Sequence, residues 1–302
     1  MTKTNAPLLL QAAAAAAGHQ HFPAAALYLV ATPIGNLADL TLRAIHVLSL
    51  VDAVACEDTR HSAVLLQQLG IDKPLLALHQ HNEAGAAQGV LQRLAQGQRI
   101  AYVSDAGTPA VSDPGALLVA AVQAAGYQTL PIPGASSVLA AVSVAGDAAG
   151  SGFRFVGFLP TRAGERQSVL QAALDATATQ VLFEAPHRIV ALADALAALA
   201  PQRRVTLCRE LTKQFETIAT MAAAELPGWL SADANRQRGE FVVVVHGAPQ
   251  AVAADAAANE RLLRVLMREL PLKQAVALGA ELSGAPRNAL YEQALALKKA
   301  AG

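Results

Sequence analysis

Leu27-Tyr28-Leu29-Val30-Ala31-Thr32-Pro33-Ile34-Gly35-Asn36 reads as an apolar run that passes directly into a stiff turn. Five consecutive apolar residues without polar alternation suit a strand buried on both faces, and Pro33 and Gly35 end it. Outward from this stretch, Leu42, Ile45 and Leu48 recur at helical spacing, residues 53–56 form a second strand and residues 62–69 a second helix. Residues 83–96 read as a helix, 100–103 as a strand, 116–125 as a helix, 129–132 as a strand and 136–145 as a helix. Strands alternating with helices predict an α/β fold, a mostly parallel sheet covered on both faces.

Residues 146–152, with three glycines and almost no bulk, form the best linker in the chain. The alternation then resumes, with strands at 153–158, 180–183, 204–208 and 241–245 and a helical stripe of Ile189, Leu192, Leu196 and Leu199. From residue 251 no strand pattern appears, and 262–270, 272–282 and 287–297 read as three helices. The expected organisation is a disordered tail over 1–24, α/β domains over 25–147 and 152–248, and a helical segment over 255–302.

Hydrophobic residues make up 53% of the chain, enough for a large core, and the formal net charge is zero. The charge is unevenly spread. Residues 1–150 hold six Lys/Arg against nine Asp/Glu, and residues 151–302 hold seventeen against fourteen, so an anionic partner would dock on the second half. Cys56 and Cys208 fit neither a zinc pattern nor a disulfide framework, which suits a reducing compartment. Lys3 is the only positive flank of the Leu/Ala-rich start, a poor signal peptide. No run approaches the ~20 apolar residues of a membrane span.

In open α/β sheets ligands bind where loops leave the carboxyl ends of strands. Three such loops stand out: 32–36, 104–115 and 131–137. Each combines glycine, which permits close backbone approach, with proline, which stiffens the turn. Asp113 followed by Pro114 reads as a helix N-cap and first helical residue. Asp105 has no such explanation, and its carboxylate is free for ribose hydroxyls or a cation. Neither GxGxxG nor GxxxxGK[ST] occurs, which argues against a dinucleotide fold and P-loop hydrolysis.

The segments 29–37, Glu57-Asp58-Thr59-Arg60, His81-Asn82-Glu83, 104–115, Gly157-Phe158-Leu159-Pro160, Glu184-Ala185-Pro186-His187-Arg188 and Arg209-Glu210-Leu211-Thr212-Lys213 together resemble the ribosomal RNA small-subunit methyltransferase I family. Residues 270–275 and 287–291 resemble its C-terminal helical piece. The resemblance spans about residues 26–300 and places the chain in the tetrapyrrole-methylase-like group. It implies two α/β domains holding S-adenosylmethionine in the cleft between them. It also implies methylation of a cytidine 2′-hydroxyl in the decoding region of 16S rRNA, in the 30S subunit, by a cytoplasmic homodimer with no metal. By the same resemblance the cofactor would touch Pro33, Ile34, Ser104, Asp105, Thr108, Ser136 and Ser137, with Phe183 and Glu184 approaching from the second domain. Two departures stand out: Phe183 replaces a frequent Tyr, and the family's Arg-Gly is not evident around Ile218-Ala219-Thr220-Met221.

For such a reaction the protein must align donor carbon and acceptor oxygen and take up the hydroxyl proton. Glu57, Asp58, Glu184, Glu210 and Lys213 are candidate bases, with Lys213, Glu57 and Glu184 foremost. A lysine depressed by burial and by Arg209 would serve as a base, while a salt-bridged strand end explains the same residues without chemistry. Arg60, His187, Arg188 and Arg209 are candidate RNA anchors, with a Glu184–Arg188 ion pair as the alternative. His79 and His81 read as hydrogen-bonding loop residues. The basic residues of the helical segment, among them Arg264, Arg268 and Lys298, suit either an RNA arm or a solvated face. A tetrapyrrole methylase and a non-catalytic ribosome-binding module are the competing classes.

Overall fold

The computed structural model describes residues 5–78, 83–148, 150–248 and 252–300. They fall into two compact units, one ending at Gly247 and one beginning at Ala248. The first unit contains two five-stranded sheets.

In chain order the first sheet and its helices are α1 (Ala6–Ala17), β1 (Ala26–Val30), α2 (Leu42–Leu50), β2 (Ala53–Cys56), α3 (Thr59–Gln68), β3 (Leu75–Ala77), α4 (Glu83–Ala95), β4 (Ile100–Val103), α5 (Ala116–Ala124), β5 (Gln128–Ile132) and α6 (Ser137–Ala145). The strand order is β3-β2-β4-β1-β5, and every pairing is parallel. Alternate strand residues serve opposite faces. Tyr28, Val30, Val54, Ala101 and Val103 pack with Ala44, Ile45 and Leu48 of α2 and Leu66 of α3. Leu27, Ala53, Ile100 and Tyr102 pack with Val90 and Leu94 of α4 and Leu118 and Val122 of α5. Each fully buried Leu, Ile or Val stabilises the sheet by roughly 1.5–3 kcal/mol.

The helices that follow β1 and β2 therefore cover one face, and those that follow β3 and β4 cover the other. The adjacent strands β1 and β4 send their chains to opposite faces, so a crevice opens between their carboxyl ends. This is where the loops 32–36 and 104–115 begin.

The disordered tail expected over 1–24 is corrected. Residues 6–17 form α1, opened by Asn5, whose side chain accepts from the Leu8 N–H. Alanine has the best intrinsic helix propensity, and its small side chains let α1 approach closely: Ala13 and Ala17 are buried in the cluster that holds Leu48 and Val51.

The second sheet comprises β6 (Phe153–Phe158), α7 (Ala163–Asp175), β7 (Thr179–Glu184), α8 (Ile189–Leu199), β8 (Arg204–Arg209), β9 (Thr217–Ala222), α9 (Leu226–Ser231) and β10 (Phe241–Val245). Its order is β6-β7-β10-β8-β9, parallel only between β6 and β7. The resumed alternation thus ends in a mixed sheet. No helix separates β8 from β9, and so short a connection joins only antiparallel neighbours. One face packs under α7, α8 and α9 through Leu174, Leu192, Leu196 and Leu230. The other face meets α6: Val138, Ala141 and Ala145 pack with Val181, Cys208, Val242 and Val244, and Ile34 and Leu211 belong to the same cluster. Helix α6, which follows the last strand of the first sheet, thus covers a face of the second.

The second unit holds α10 (Val252–Glu269), α11 (Leu272–Ser283) and α12 (Arg287–Ala300) around Leu263, Val276, Leu290 and Ala294. Helix α11 follows Pro271 and stops at Gly284, whose left-handed φ of 70° ends it. No helix among the described residues is long and apolar enough to cross a membrane.

Candidate active site

Hydrogen bonds stitch the three loops of the first sheet into one surface. Thr32 N–H donates to the Gly107 carbonyl at 2.9 Å, and Gly107 N–H returns the bond to Thr32 at 3.1 Å. Thr32 Oγ1 donates to the Ser104 carbonyl at 3.2 Å, and Thr108 Oγ1 donates to the Ala135 carbonyl at 3.1 Å. Asp105 Oδ1 accepts the Asp58 N–H at 3.3 Å, which adds the turn after β2. Glycine makes this closeness possible: a Cβ on Gly107, where φ is 84°, would lie 3.3 Å from Ile34 Cγ2, and one on Gly134 would lie 2.9 Å from Ala31 Cβ.

The carboxyl end of β8 meets this surface. A Cβ on Gly35 would lie 2.5 Å from Lys213 Cγ, so the lysine stem lies directly on the first loop. Of the four non-glycine residues with positive φ among the described residues, Ala110 belongs to the 104–115 loop, and Glu210 and Thr212 belong to the turn that presents Lys213. Left-handed backbone at such residues costs roughly 1–3 kcal/mol each and concentrates at functional sites.

Among the described residues, Glu57, Asp105 and Asp113 on the first edge form no ion pair. Among the described residues no donor hydrogen-bonds to the Glu57 side chain, and its pKa is raised by burial first and then by Asp105, Asp113 and Asp58. Burial also raises Asp113, against a hydrogen bond from Ser104. Among the described residues of this edge, Asp58 alone has a cation: hydrogen bonds from Arg60 hold it down to about 2.

On the second edge the carboxylates are paired. The Glu184 side chain is fully buried and bridges Arg166 at 3.2 Å and Arg188 at 3.1 Å, and it also accepts the Ala185 N–H. Lys213 Nζ reaches Glu210 at 3.0 Å and Glu240 at 3.2 Å. Burial disfavours the lysine's charge, but those two carboxylates outweigh it and raise its pKa.

The structure therefore gathers Pro33, Ile34, Ser104, Asp105 and Thr108 on one stitched surface. Ser136 caps α6 and Ser137 begins it, one residue beyond the Thr108 contact. Phe183 packs against the cluster that contains Ile34. Several expectations are corrected. Lys213 is raised rather than depressed, because Arg209 turns away to the carbonyls of Asn235 and Phe215 and leaves the lysine to Glu210 and Glu240. The same bonds commit Arg209 to the fold rather than to RNA. Glu184 realises the ion pair with Arg188, whose guanidinium also donates to the Leu159 carbonyl at 2.8 Å. Asp113 does not cap α5; Gly115 occupies that position with φ 124°. Arg60 and His187 remain exposed. His79 and His81 lie outside the described residues.

The sequence reading passed over Arg166, Glu240 and the Thr32–Gly107 bridge. Arg166 was findable, since Val169, Leu170, Ala173 and Leu174 carry the spacing that predicts α7.

A two-sheet fold with its loops stitched together at a switch point defines a class, and the comparisons identify it. The family described as Tetrapyrrole (Corrin/Porphyrin) Methylases matches residues 26–227, and that described as RsmI C-terminal HTH domain matches residues 253–298. A uroporphyrin-III C-methyl transferase from Thermus thermophilus, solved with S-adenyl homocysteine, shares the fold at a TM-score of 0.51 and 18% identity, covering 73% of this chain and 96% of that one. Ribosomal RNA small subunit methyltransferase I of Pseudomonas aeruginosa is 48% identical, over 90% of this chain and 97% of its own. That of Escherichia coli O157:H7 is 46% identical, over 89% and 94%. The chain belongs to the ribosomal RNA small subunit methyltransferase I family of the tetrapyrrole methylases.

Proposed function

We propose that the chain methylates the ribose 2′-hydroxyl of a cytidine in the decoding region of 16S rRNA within the 30S subunit, as a cytoplasmic homodimer. S-adenosylmethionine is its methyl donor. The observation that carries this reading is the stitched edge of the first sheet, where Glu57, Asp105 and Asp113 stand close together with no ion pair to any of them among the described residues. That donor set fits a ligand carrying a sulfonium and an ammonium, which seek negative charge, and a ribose, whose hydroxyls seek acceptors. Pro33, Ile34, Ser104, Asp105, Thr108, Ser136, Ser137 and Phe183 would hold it. Bound there, it supplies a methyl group already activated by positive sulfur.

The chain then has two tasks. The first is orientation, which contributes several kcal/mol when the reacting atoms are held in line. The stitching of three loops and the Lys213 stem laid on Gly35 provide that rigidity. The second is removal of the hydroxyl proton, and Glu57 suits it: it is partly buried, without an ion pair among the described residues, and raised toward the working range of a base. Arg60 and His187 are the exposed cationic candidates for phosphate contact.

An RNA substrate is favoured over a tetrapyrrole by what each kind of relative covers. The Thermus methylase covers 73% of the chain, whereas the rRNA methyltransferases cover about 90%. The additional span reaches the separate helical unit. The test is mass spectrometry of small-subunit RNA from a deletion strain, paired with transfer of labelled methyl to its 30S subunits. One missing ribose methyl, restored by the purified protein, is expected; an unchanged methylation pattern overturns the reading.

A further inference from the structure

We infer that a groove in the helical unit docks one nucleotide of the RNA substrate, its phosphate on a cationic rim and its sugar or base on an apolar floor. The inference rests on the RNA reading above. The groove lies where α10 ends, α11 begins and α12 closes, and it measures about 490 Å³. That is within the roughly 300–1,000 Å³ of small-molecule sites.

The sequence builds it at one turn. Helix α10 stops at Glu269, and Pro271, which has no N–H to donate, leads into α11 instead of prolonging α10. The reversal leaves the local core incompletely covered. Met267, Leu272 and Leu297 are half-buried against the cluster of Leu263, Val276 and Leu290, and the same three side chains line the groove.

Arg264 and Arg268, one turn apart on α10, and Lys298 of α12 form the rim, and all three are exposed. Residues four apart share a helix face, where like charges repel. Arg264 is bonded to Glu260 at 2.8 Å. Among the described residues Arg268 and Lys298 form no ion pair, and no carboxylate lines the groove. The rim therefore holds surplus positive charge that an anion relieves.

These two surfaces together select the occupant. The floor offers no donor or acceptor side chain, so what rests on it presents an apolar face. The rim requires an anion attached to that same small body, and a guanidinium matches a phosphate in two-pronged geometry. A nucleotide joins both features in one unit. An acidic peptide brings carboxylates without a flat face to cover the floor.

The test is equilibrium binding of the full-length protein to a labelled, cytidine-containing single-stranded oligoribonucleotide over a range of salt, beside methyl transfer to unmethylated 30S subunits. Each phosphate contact on a single strand steepens the fall of log affinity with log salt by about 0.7. Arg268→Gln combined with Lys298→Gln should therefore flatten that slope by about 1.4 and weaken binding about tenfold or more. KM for 30S subunits should rise accordingly, with kcat, melting temperature and S-adenosylhomocysteine affinity unchanged. Arg268→Lys keeps the charge and should keep the slope. Arg43→Gln combined with Arg287→Gln removes the same charge from exposed residues outside the groove and should bind as wild type. An unchanged slope and KM in the groove variant, or an equal loss in the control, overturns the site. Binding through this groove by a wild type that transfers no methyl to 30S subunits would leave the site standing and fell the activity reading. Methyl transfer with no change in the groove variant would do the opposite.

Discussion

Two sheet edges meet at the cleft, and they treat their carboxylates in opposite ways. On the first, Glu57, Asp105 and Asp113 crowd one another, and burial holds Glu57 and Asp113 above the usual range. On the second, Glu184 and Glu210 are each tied to cations within about 3 Å. A paired carboxylate holds a fold together, while an unpaired one stores electrostatic cost that a cationic ligand or a proton relieves. Under the proposed function, the contrast leaves proton transfer to the first sheet and architecture to the paired carboxylates of the second.

Glu57→Gln breaks the comparison with the largest expected effect. A general base contributes about 10²–10⁴-fold, so methyl transfer should fall by that factor while the protein stays fully folded. The pH dependence carries a matching sign. Glu57 binds its proton more tightly when folded, so stability is unpenalised below the unfolded-state pKa and declines as the pH rises through the raised folded value. Wild type should lose stability relative to Glu57→Gln across that window, while kcat/KM of wild type rises through it. Turnover in Glu57→Gln within threefold of wild type removes Glu57 from the mechanism.

Glu184→Gln should do the reverse. Removing one partner of a buried pair costs about 3 kcal/mol or more, here by leaving Arg166 and Arg188 facing each other. Urea unfolding should show that loss, and residual folded protein should keep its cofactor affinity. A variant as stable as wild type, but inactive, would return Glu184 to the chemistry.

Asp105→Ala comes next. Losing a charged hydrogen-bond acceptor costs about 1.5–3 kcal/mol, so calorimetry should record roughly 10- to 100-fold weaker binding of S-adenosylhomocysteine. Asp105→Asn keeps an acceptor for the Asp58 N–H, and the difference between the two variants separates loop geometry from charge. Equal affinity in wild type and Asp105→Ala would exclude the carboxylate from the cradle.

The two edges were not equally legible in the sequence. The first edge is written in local punctuation: Pro33-Ile34-Gly35 and 104–115 announce rigid loops, and a parallel sheet brings them together. Even there, the Asp113-Pro114 signature misled, because Ser104 holds Asp113 and Gly115 takes the cap. The second edge depends on register. Glu240 reaches Lys213 only because β10 lies beside β8, a pairing that no local pattern encodes. Spacing suggested that Arg209 would press on Lys213, but the left-handed turns at Glu210 and Thr212 send the two side chains apart.

Lys213→Met tests that last point and carries the smallest expected effect. Methionine keeps most of the stem that lies on Gly35 and removes the ammonium that joins Glu210 to Glu240. The lysine is about a quarter exposed and Glu240 is largely so, which limits the pair to about 1 kcal/mol or less. Its pKa is raised, so at neutral pH the ammonium keeps its proton and has no lone pair with which to accept another. Turnover within about fivefold of wild type is expected, with a slight fall in melting temperature. Abolished turnover at unchanged cofactor affinity would mean that this ammonium acts on the reacting atoms as a fixed positive charge, and the division between a chemical first edge and an architectural second edge would no longer hold.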